Sequence, residues 1–490
     1  MVNRAVAAGG HRATCEAALT VLAAGGNAFD AIVAAGFASA TSEPLMTGLG
    51  GGGFCLTRTA AGEATLFDFF VDTPGRGLDP MPEPHFFPVT VRYPGVDQVF
   101  NTGLGSAAVP GTVAGYLAVH ERLGRLPLAD VLAPAMALAT DGVVLDDFHG
   151  SVTDLLWPIL RLTDDGRRLF GVGEGPQPPG HRFTNPDTCR FLSELAADPT
   201  HDLWSAGRGE QVVADMAAGE GLITAEDLAA YTVAEREPLA VGYRDRTVLT
   251  NPPPAFGGEL IGRGLGFLAE ELPTPGVWGE PDHLAALGRA LQDLEASRKP
   301  GDGPSFSRGT THASVADAEG NVASLSTSNG EASGYVVPGT GVMLNNMLGE
   351  DDLHPDGFHS SPPGLRVSSM MAPTVVIDPD GAVELVLGSG GSARIRTSLL
   401  QAVSAVVDFG LDPAEVVGLP RIHWDGGAFQ VEPGFPADSV AALERLGPVN
   451  RWSDLNLYFG GVHAVSPQGH GGGDPRRAGA CLTLGDGPQP

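Results

Sequence analysis

Basic side chains are scarce in this chain: 29 Lys and Arg stand against 58 Asp and Glu in 490 residues, a formal charge of −29. Such a surface repels a nucleic-acid backbone or an anionic membrane, so neither is expected as a partner. The four cysteines, Cys15, Cys55, Cys189 and Cys481, are scattered without metal-type or redox-type spacing and read as free buried thiols. The histidines also lack a ligand spacing: His312, His423 and His463 read as structural, and His354 and His359, around a Pro-Gly loop, as surface positions. No metal and no cofactor is therefore implied. No apolar run is long enough to span a bilayer, and Met1 to His11 holds no apolar signal core, so a cytoplasmic location is the expectation. Internal repeats are absent.

What is present is a folded composition, 42% hydrophobic, broken by 69 Gly and 40 Pro. Single cores stop growing near about 250 to 300 residues, so the length implies two domains or one unusually layered one. Thr14 to Ala24 reads as an Ala-rich helix capped by Thr14, and Asn27 to Thr41 as a second helix, almost uncharged and so buried. Leu66 to Val71 reads as a strand, followed by loops to about Asn101. Ala107 to Tyr116 enters a helix with Pro110 near its start, and further helices follow at Leu128 to Thr140 and at Thr224 to Tyr231, where Thr224 and Asp227 make an imperfect capping box. Leu239 to Tyr243 and Thr247 to Thr250 suggest a hairpin, and Glu259 to Ala269 a helix. Beyond residue 310 strands dominate: Thr311 to Asp317 pairs with Asn321 to Ser328, then come Gly341 to Asn346, Ala372 to Ile377 and Val383 to Leu387, before the helix Ala393 to Phe409.

Two stretches carry chemistry. Gly48 to Gly53 follows a helix and opens the strand Phe54 to Arg58, the reverse of a phosphate cradle, so it reads as a tight backbone crossing near a site. Arg308-Gly309-Thr310-Thr311-His312, after the Pro/Gly/Ser run Lys299 to Ser307, is either a plain strand start or a concealed N-terminus. Cleavage before Thr310 would give one residue both a hydroxyl nucleophile and an α-amine base, whose unperturbed pKa is about 7.7 to 8.0. Gly388 to Ser392 ahead of a helix suits an oxyanion hole, and suits an ordinary strand-to-helix turn equally.

With Gly25 to Ala31, Thr47 to Phe54, Val109 to Gly115, Pro252-Pro253-Pro254, Thr310-Thr311-His312, Leu344-Asn345-Asn346, Ser368-Ser369-Met370, Gly388 to Arg394 and Asp474 to Arg477, the chain resembles the γ-glutamyltranspeptidase family of N-terminal nucleophile hydrolases over nearly its whole length. The resemblance implies an α+β fold, a four-layer αββα sandwich with two stacked, mainly antiparallel sheets. It also implies a precursor that cuts itself into a large subunit, 1–309, and a small one, 310–490, which together build one domain; a homodimer is left open. Thr310 would be the nucleophile and Ser328 the hydroxyl beside it. Gly391 and Ser392 would supply the oxyanion donors, and Ser368 and Ser369 would help hold the substrate carboxylate.

Four positions depart from the family pattern. Phe70 stands where the family has a carboxylate-binding Arg, Gly330 where it has Asn, Met347 where it has Gln or Glu, and Glu350 where it has Asp. Replacing a bidentate guanidinium by a phenyl ring removes a strong carboxylate clamp; Arg308, Arg366, Arg394 and Arg396 are the cations placed to compensate. The segment before Thr310 is also shorter than the family's, which implies a more open pocket mouth. The expected activity is therefore hydrolysis or acyl transfer on a small acyl, amide-like substrate with an altered glutamate pocket. The alternative is the family's carbon–carbon bond hydrolysis in alkylproline-type antibiotic biosynthesis, and the third reading an inactive binding relative.

Overall fold

The computed structural model describes residues 4–93, 96–297, 309–354 and 356–485; the Lys299 to Ser307 run and Arg308 lie outside the described residues. Two antiparallel sheets organise it. The first has seven strands in the order Ala234–Arg236, Ala64–Phe69, Gly52–Arg58, Val322–Ser328, Thr310–Ala316, Val6–Gly9, Ala480–Thr483. The second has six: Leu239–Tyr243, Arg246–Thr250, Thr374–Ile377, Val383–Gly390, Gly461–Val465, Gly471–Gly472. Strands from both sides of the Gly309–Thr310 bond contribute to each sheet.

Period-two alternation sets what each face buries. Val6, Ala8, Phe54 and Leu56 of the first sheet share a core with Val248, Val375, Leu385 and Leu387 of the second, and with helices Gly257–Glu271, Pro281–Ala296 and Arg394–Phe409. The intervening residues Ala7, Cys55, Val315 and Leu325 face helices Arg12–Ala23, Ala28–Ser42, Thr112–Leu123 and Leu128–Asp141. Ala28–Ser42 starts on a complete capping box, with Asn27 Oδ1 accepting from Asp30 N at 2.9 Å and Asp30 Oδ2 from Asn27 N at 3.0 Å. The same box forms at Thr224 and Asp227, so Asp serves there in place of Glu.

Several local expectations change. The first helix begins at Arg12 on the cap His11, while Thr14 turns inward to a buried network, because a ring nitrogen can accept the orphan N–H as well as a hydroxyl does. The stretch expected to be loop contains a hairpin, Phe87–Tyr93 with Val96–Thr102, and the strand expected over Gly341 to Asn346 shrinks to Val342–Met343. His354 is buried, its Nε2 2.9 Å from the Met347 carbonyl, rather than at the surface. Gly388 to Gly390 continue the strand, so the turn before the long helix is Gly391 to Ala393. The glycine run does make a close crossing: a Cβ on Gly51 would lie 2.0 Å from the Ser328 carbonyl oxygen. Among the described residues no helix is long and apolar enough to cross a membrane.

Candidate active site

Thr310 opens its strand, is buried, and pairs in register with Ser328. Directly opposed residues point to one face, so the two hydroxyls meet: Thr310 Oγ1 donates to Ser328 Oγ at 3.2 Å. Ser328 Oγ donates in turn to the Gly309 carbonyl oxygen at 2.6 Å and accepts from Gly330 N at 3.2 Å. A serine hydroxyl has one proton and two lone pairs, and all three are used here. The Gly309 oxygen also accepts from Asn329 N at 3.2 Å. The carbonyl just before Thr310 thus lies in a two-donor cradle beside the Thr310 hydroxyl. On the other side, Arg477 Nη1 donates to the Thr310 carbonyl oxygen at 2.9 Å.

The turn after the neighbouring strand bends through two positive φ values, 118° at Gly391 and 51° at Ser392. A non-glycine residue in that region costs about 1 to 3 kcal/mol and such strain clusters at functional sites; Ser392 lines the same cleft as Thr310.

That cleft is lined by Thr310, Ser328, Ser369 and Ser392 on its polar side. Its apolar side comprises Phe70, Met347, Leu353, Met370, Met371 and Ile395, and among the described residues Glu350 is its one charged lining residue. Phe70 stacks on Phe54 with centroids 5.5 Å apart. Gly330 lies just behind: a Cβ there would sit 2.3 Å from Glu350 Oε1. Ser368 is half-buried and outside the lining, whereas Ser369 Oγ accepts from Met371 N at 3.1 Å. Leu353, Met371, Ile395, Asn329 and Arg477 were not singled out by sequence reasoning; Met371 could have been, since it directly follows the Ser368-Ser369-Met370 motif.

The described arginines placed to compensate for the missing clamp are held elsewhere. Arg366 pairs with Asp72 at 3.0 Å, donates to the Phe70 carbonyl and lies over the Tyr231 ring. Arg394 donates to the Tyr458 carbonyl at 3.1 Å, and Arg396 pairs with Glu295. Burial pushes His312 well below its ordinary pKa, so it is neutral between Ser326 Oγ at 2.8 Å and Ser314 Oγ at 2.9 Å. Among the described residues, the group with metal-like proximity is His11, Asp146 and His149. Two of its atoms serve helix caps, His11 Nδ1 accepting from Ala13 N and Asp146 Oδ1 from His149 N, and His149 Nδ1 lies 2.9 Å from the same Asp146 oxygen.

The sequence profile of the gamma-glutamyltranspeptidase family matches residues 14–276 and 279–484. The chain belongs to the gamma-glutamyltranspeptidase family. It is 32% identical to the "Acylase ACY 1 proenzyme" of Pseudomonas sp. (strain SE83), over 91% of this chain and 87% of that protein. It is 30% identical to the "Glutathione hydrolase proenzyme" of Escherichia coli (strain K12), over 94% and 88%. The structure superimposes on that of the cephalosporin acylase from Bacillus halodurans with a TM-score of 0.79 at 22% identity, covering 98% of this chain and 96% of that one. The fold is accordingly that of N-terminal nucleophile hydrolases, and the chain is a gamma-glutamyltransferase-like enzyme of that superfamily. The named relatives are proenzymes, which supports one precursor processed into subunits.

Proposed function

We propose that this enzyme cuts itself before Thr310 and then uses Thr310 to hydrolyse, or to transfer, an acyl group that lacks the α-carboxylate of glutamate. Thr310 Oγ attacks the Gly309 carbonyl carbon, and Ser328 Oγ with Asn329 N stabilise the oxyanion. The carbon–nitrogen bond breaks, the Thr310 nitrogen takes up the hydroxyl proton, and water hydrolyses the resulting ester to a Gly309 carboxylate, restoring the hydroxyl. In turnover the freed amine takes the hydroxyl proton and returns it to the leaving group. The N–H groups of Gly391 and Ser392 hold the substrate oxyanion, with Ser369 and, at the rim, Ser368 beside it, and water or an acceptor amine releases the acyl group. A helix, sheet, sheet, helix layering belongs to this reading, supported by the two apolar clusters on either face of the first sheet.

The observation that carries the proposal is the hydrogen-bonded chain Thr310, Ser328, Gly309 at a cleft whose one charged lining residue, among the described residues, is an acid. A carboxylate buried there would face Phe70, Met347 and Glu350 with no described cation released to pair with it, a cost of several kcal/mol on the order of that for burying any unpaired ion. The same cleft suits the carbon–carbon hydrolysis reading, because a ketone flanked by apolar substituents needs the same nucleophile and oxyanion donors.

Denaturing electrophoresis and N-terminal sequencing test the first step: two fragments, the smaller beginning at Thr310, are expected, and a single chain from Thr310→Ala. Chromogenic anilides then test the second. Faster release from an unsubstituted aliphatic acyl anilide than from the γ-glutamyl anilide is expected; the reverse order would overturn the altered-pocket reading. Turnover of a β-diketone without anilide turnover would favour carbon–carbon cleavage.

A further inference from the structure

Glu43 follows the helix Ala28–Ser42 and is 1% exposed, yet among the described residues it has no ion-pair partner. A buried carboxyl is ordinarily held by a cation. This one is held by two hydroxyls: Thr14 Oγ1 donates to Oε1 at 2.6 Å, and Thr311 Oγ1 donates to Oε2 through a short bond. Burial raises its pKa above the ordinary carboxyl value, so the fold keeps an expensive group in place. Gly10 closes over it, since a Cβ there would lie 2.1 Å from Glu43 Oε2 and 2.8 Å from Thr311 Oγ1.

Thr311 is the residue after the nucleophile, and alternation along the strand sends its side chain to the opposite face. The chain is therefore gripped at two successive points, Arg477 on the Thr310 carbonyl and Glu43 on the Thr311 hydroxyl. While the peptide bond to Gly309 is intact these grips are partly redundant. Once it is cut, the place of the new chain end depends on them.

We infer that Glu43 is a positioning residue for the nucleophile, fixing the start of the strand through the Thr311 hydroxyl so that the Thr310 amine and hydroxyl keep their aim into the cleft. This rests on Thr310 being the nucleophile. Glu43 touches no reacting atom, and its other partner, Thr14, ties it to the first helix, so a purely architectural role predicts that both hydroxyls matter alike.

The experiment starts with the wild type: an uncut chain, or a Thr310→Ala variant that still turns over, would dispose of the nucleophile reading itself. Given cleavage, kcat per cleaved molecule, KM and thermal midpoint are compared for Thr311→Val, Thr311→Ser, Thr14→Val, Glu43→Ala and Glu43→Ala/Thr311→Val. Misplacing a reacting group by about 1 Å costs on the order of a hundredfold. Thr311→Val and Glu43→Ala should accordingly lower kcat by about ten- to a hundredfold with KM within about twofold, and the double variant should be no worse than the poorer single one. Thr311→Ser should recover the wild-type kcat, and Thr14→Val should lower the thermal midpoint alone. Wild-type kcat in Thr311→Val overturns the inference, as does an equal loss of kcat in Thr14→Val. If Glu43→Ala does not fold, the Thr311→Val and Thr311→Ser pair decides.

Discussion

Replacing Ser328 by Ala deletes three hydrogen bonds at once, and their separate roles set how much should be lost. Donation to the Gly309 oxygen at 2.6 Å is one of the two contacts of the cradle, the other being Asn329 N at 3.2 Å. Removing one preorganised donor from a developing oxyanion slows acyl chemistry by about 10²- to 10³-fold, about 3 to 4 kcal/mol of activation free energy. The acceptor role toward Thr310 Oγ1 at 3.2 Å orients the attacking oxygen, and that toward Gly330 N at 3.2 Å satisfies a buried donor; an orphaned N–H costs about 1 to 3 kcal/mol of stability. Self-cleavage of Ser328→Ala, followed by intact mass over hours after purification, should thus be slower by two to three orders of magnitude, roughly, with a lowered thermal midpoint. Ser328→Thr, which keeps a hydroxyl, should cleave far faster than the Ala variant. Cleavage of Ser328→Ala at the wild-type rate, or equal slowing in both variants, would refute the claim that this hydroxyl drives the reaction.

A methyl at Gly390 would sit 2.2 Å from the Thr310 carbonyl oxygen, so Gly390→Ala should remain an uncut, inactive chain by mass spectrometry and rate assay. Phe70→Arg should raise kcat/KM for a γ-glutamyl anilide relative to a plain acyl anilide by about tenfold or more, the worth of one charge-assisted hydrogen bond; an unchanged ratio counts against Phe70 as the cause of the altered pocket. Asp474 is fully buried and its pKa is lowered: burial opposes ionisation, but Arg421 at 2.6 Å, Arg476 at 3.1 Å and backbone N–H groups overcome it. Its stabilisation is complete above the unfolded carboxyl value of about 3.9 and is lost as pH falls through the lower folded value. Asp474→Asn should therefore lower the urea midpoint strongly at pH 7, by about 3 to 5 kcal/mol for a broken buried pair, and the gap to wild type should narrow in strong acid; a pH-independent gap would contradict this assignment.

What could be read from sequence was local or followed from register. Two alternating runs joined by Ala318-Glu319-Gly320 force Thr310 opposite Ser328, and the almost uncharged run from Asn27 to Thr41 marks the buried helix Ala28–Ser42. The hairpin Phe87–Tyr93 with Val96–Thr102 escaped notice because Pro88 and the nearby prolines mask its alternation. The fate of the arginines was illegible for another reason. Arg366 is claimed by Asp72 and Tyr231, each more than a hundred residues away in the chain, and nothing in the local pattern around Arg366 says which carboxylate folding will bring to it. The burial of His354 and the choice of His11 over Thr14 as a cap are likewise decided by what packs alongside.

Sheet order shows why a cut before Thr310 need not loosen the site. The strand that begins at Thr310 is interior to the seven-stranded sheet, paired along its length with Val322–Ser328 on one side and, from Ala313 to Ala316, with Val6–Gly9 on the other. Toward its start only the Ser328 side is backbone-paired, so residues 310 and 311 rely on side-chain anchors on the open flank. Arg477 and Glu43 hold those two residues. An N-terminal nucleophile needs a free amine that is nonetheless immobile, and a paired strand pinned at its first two residues reconciles the two demands.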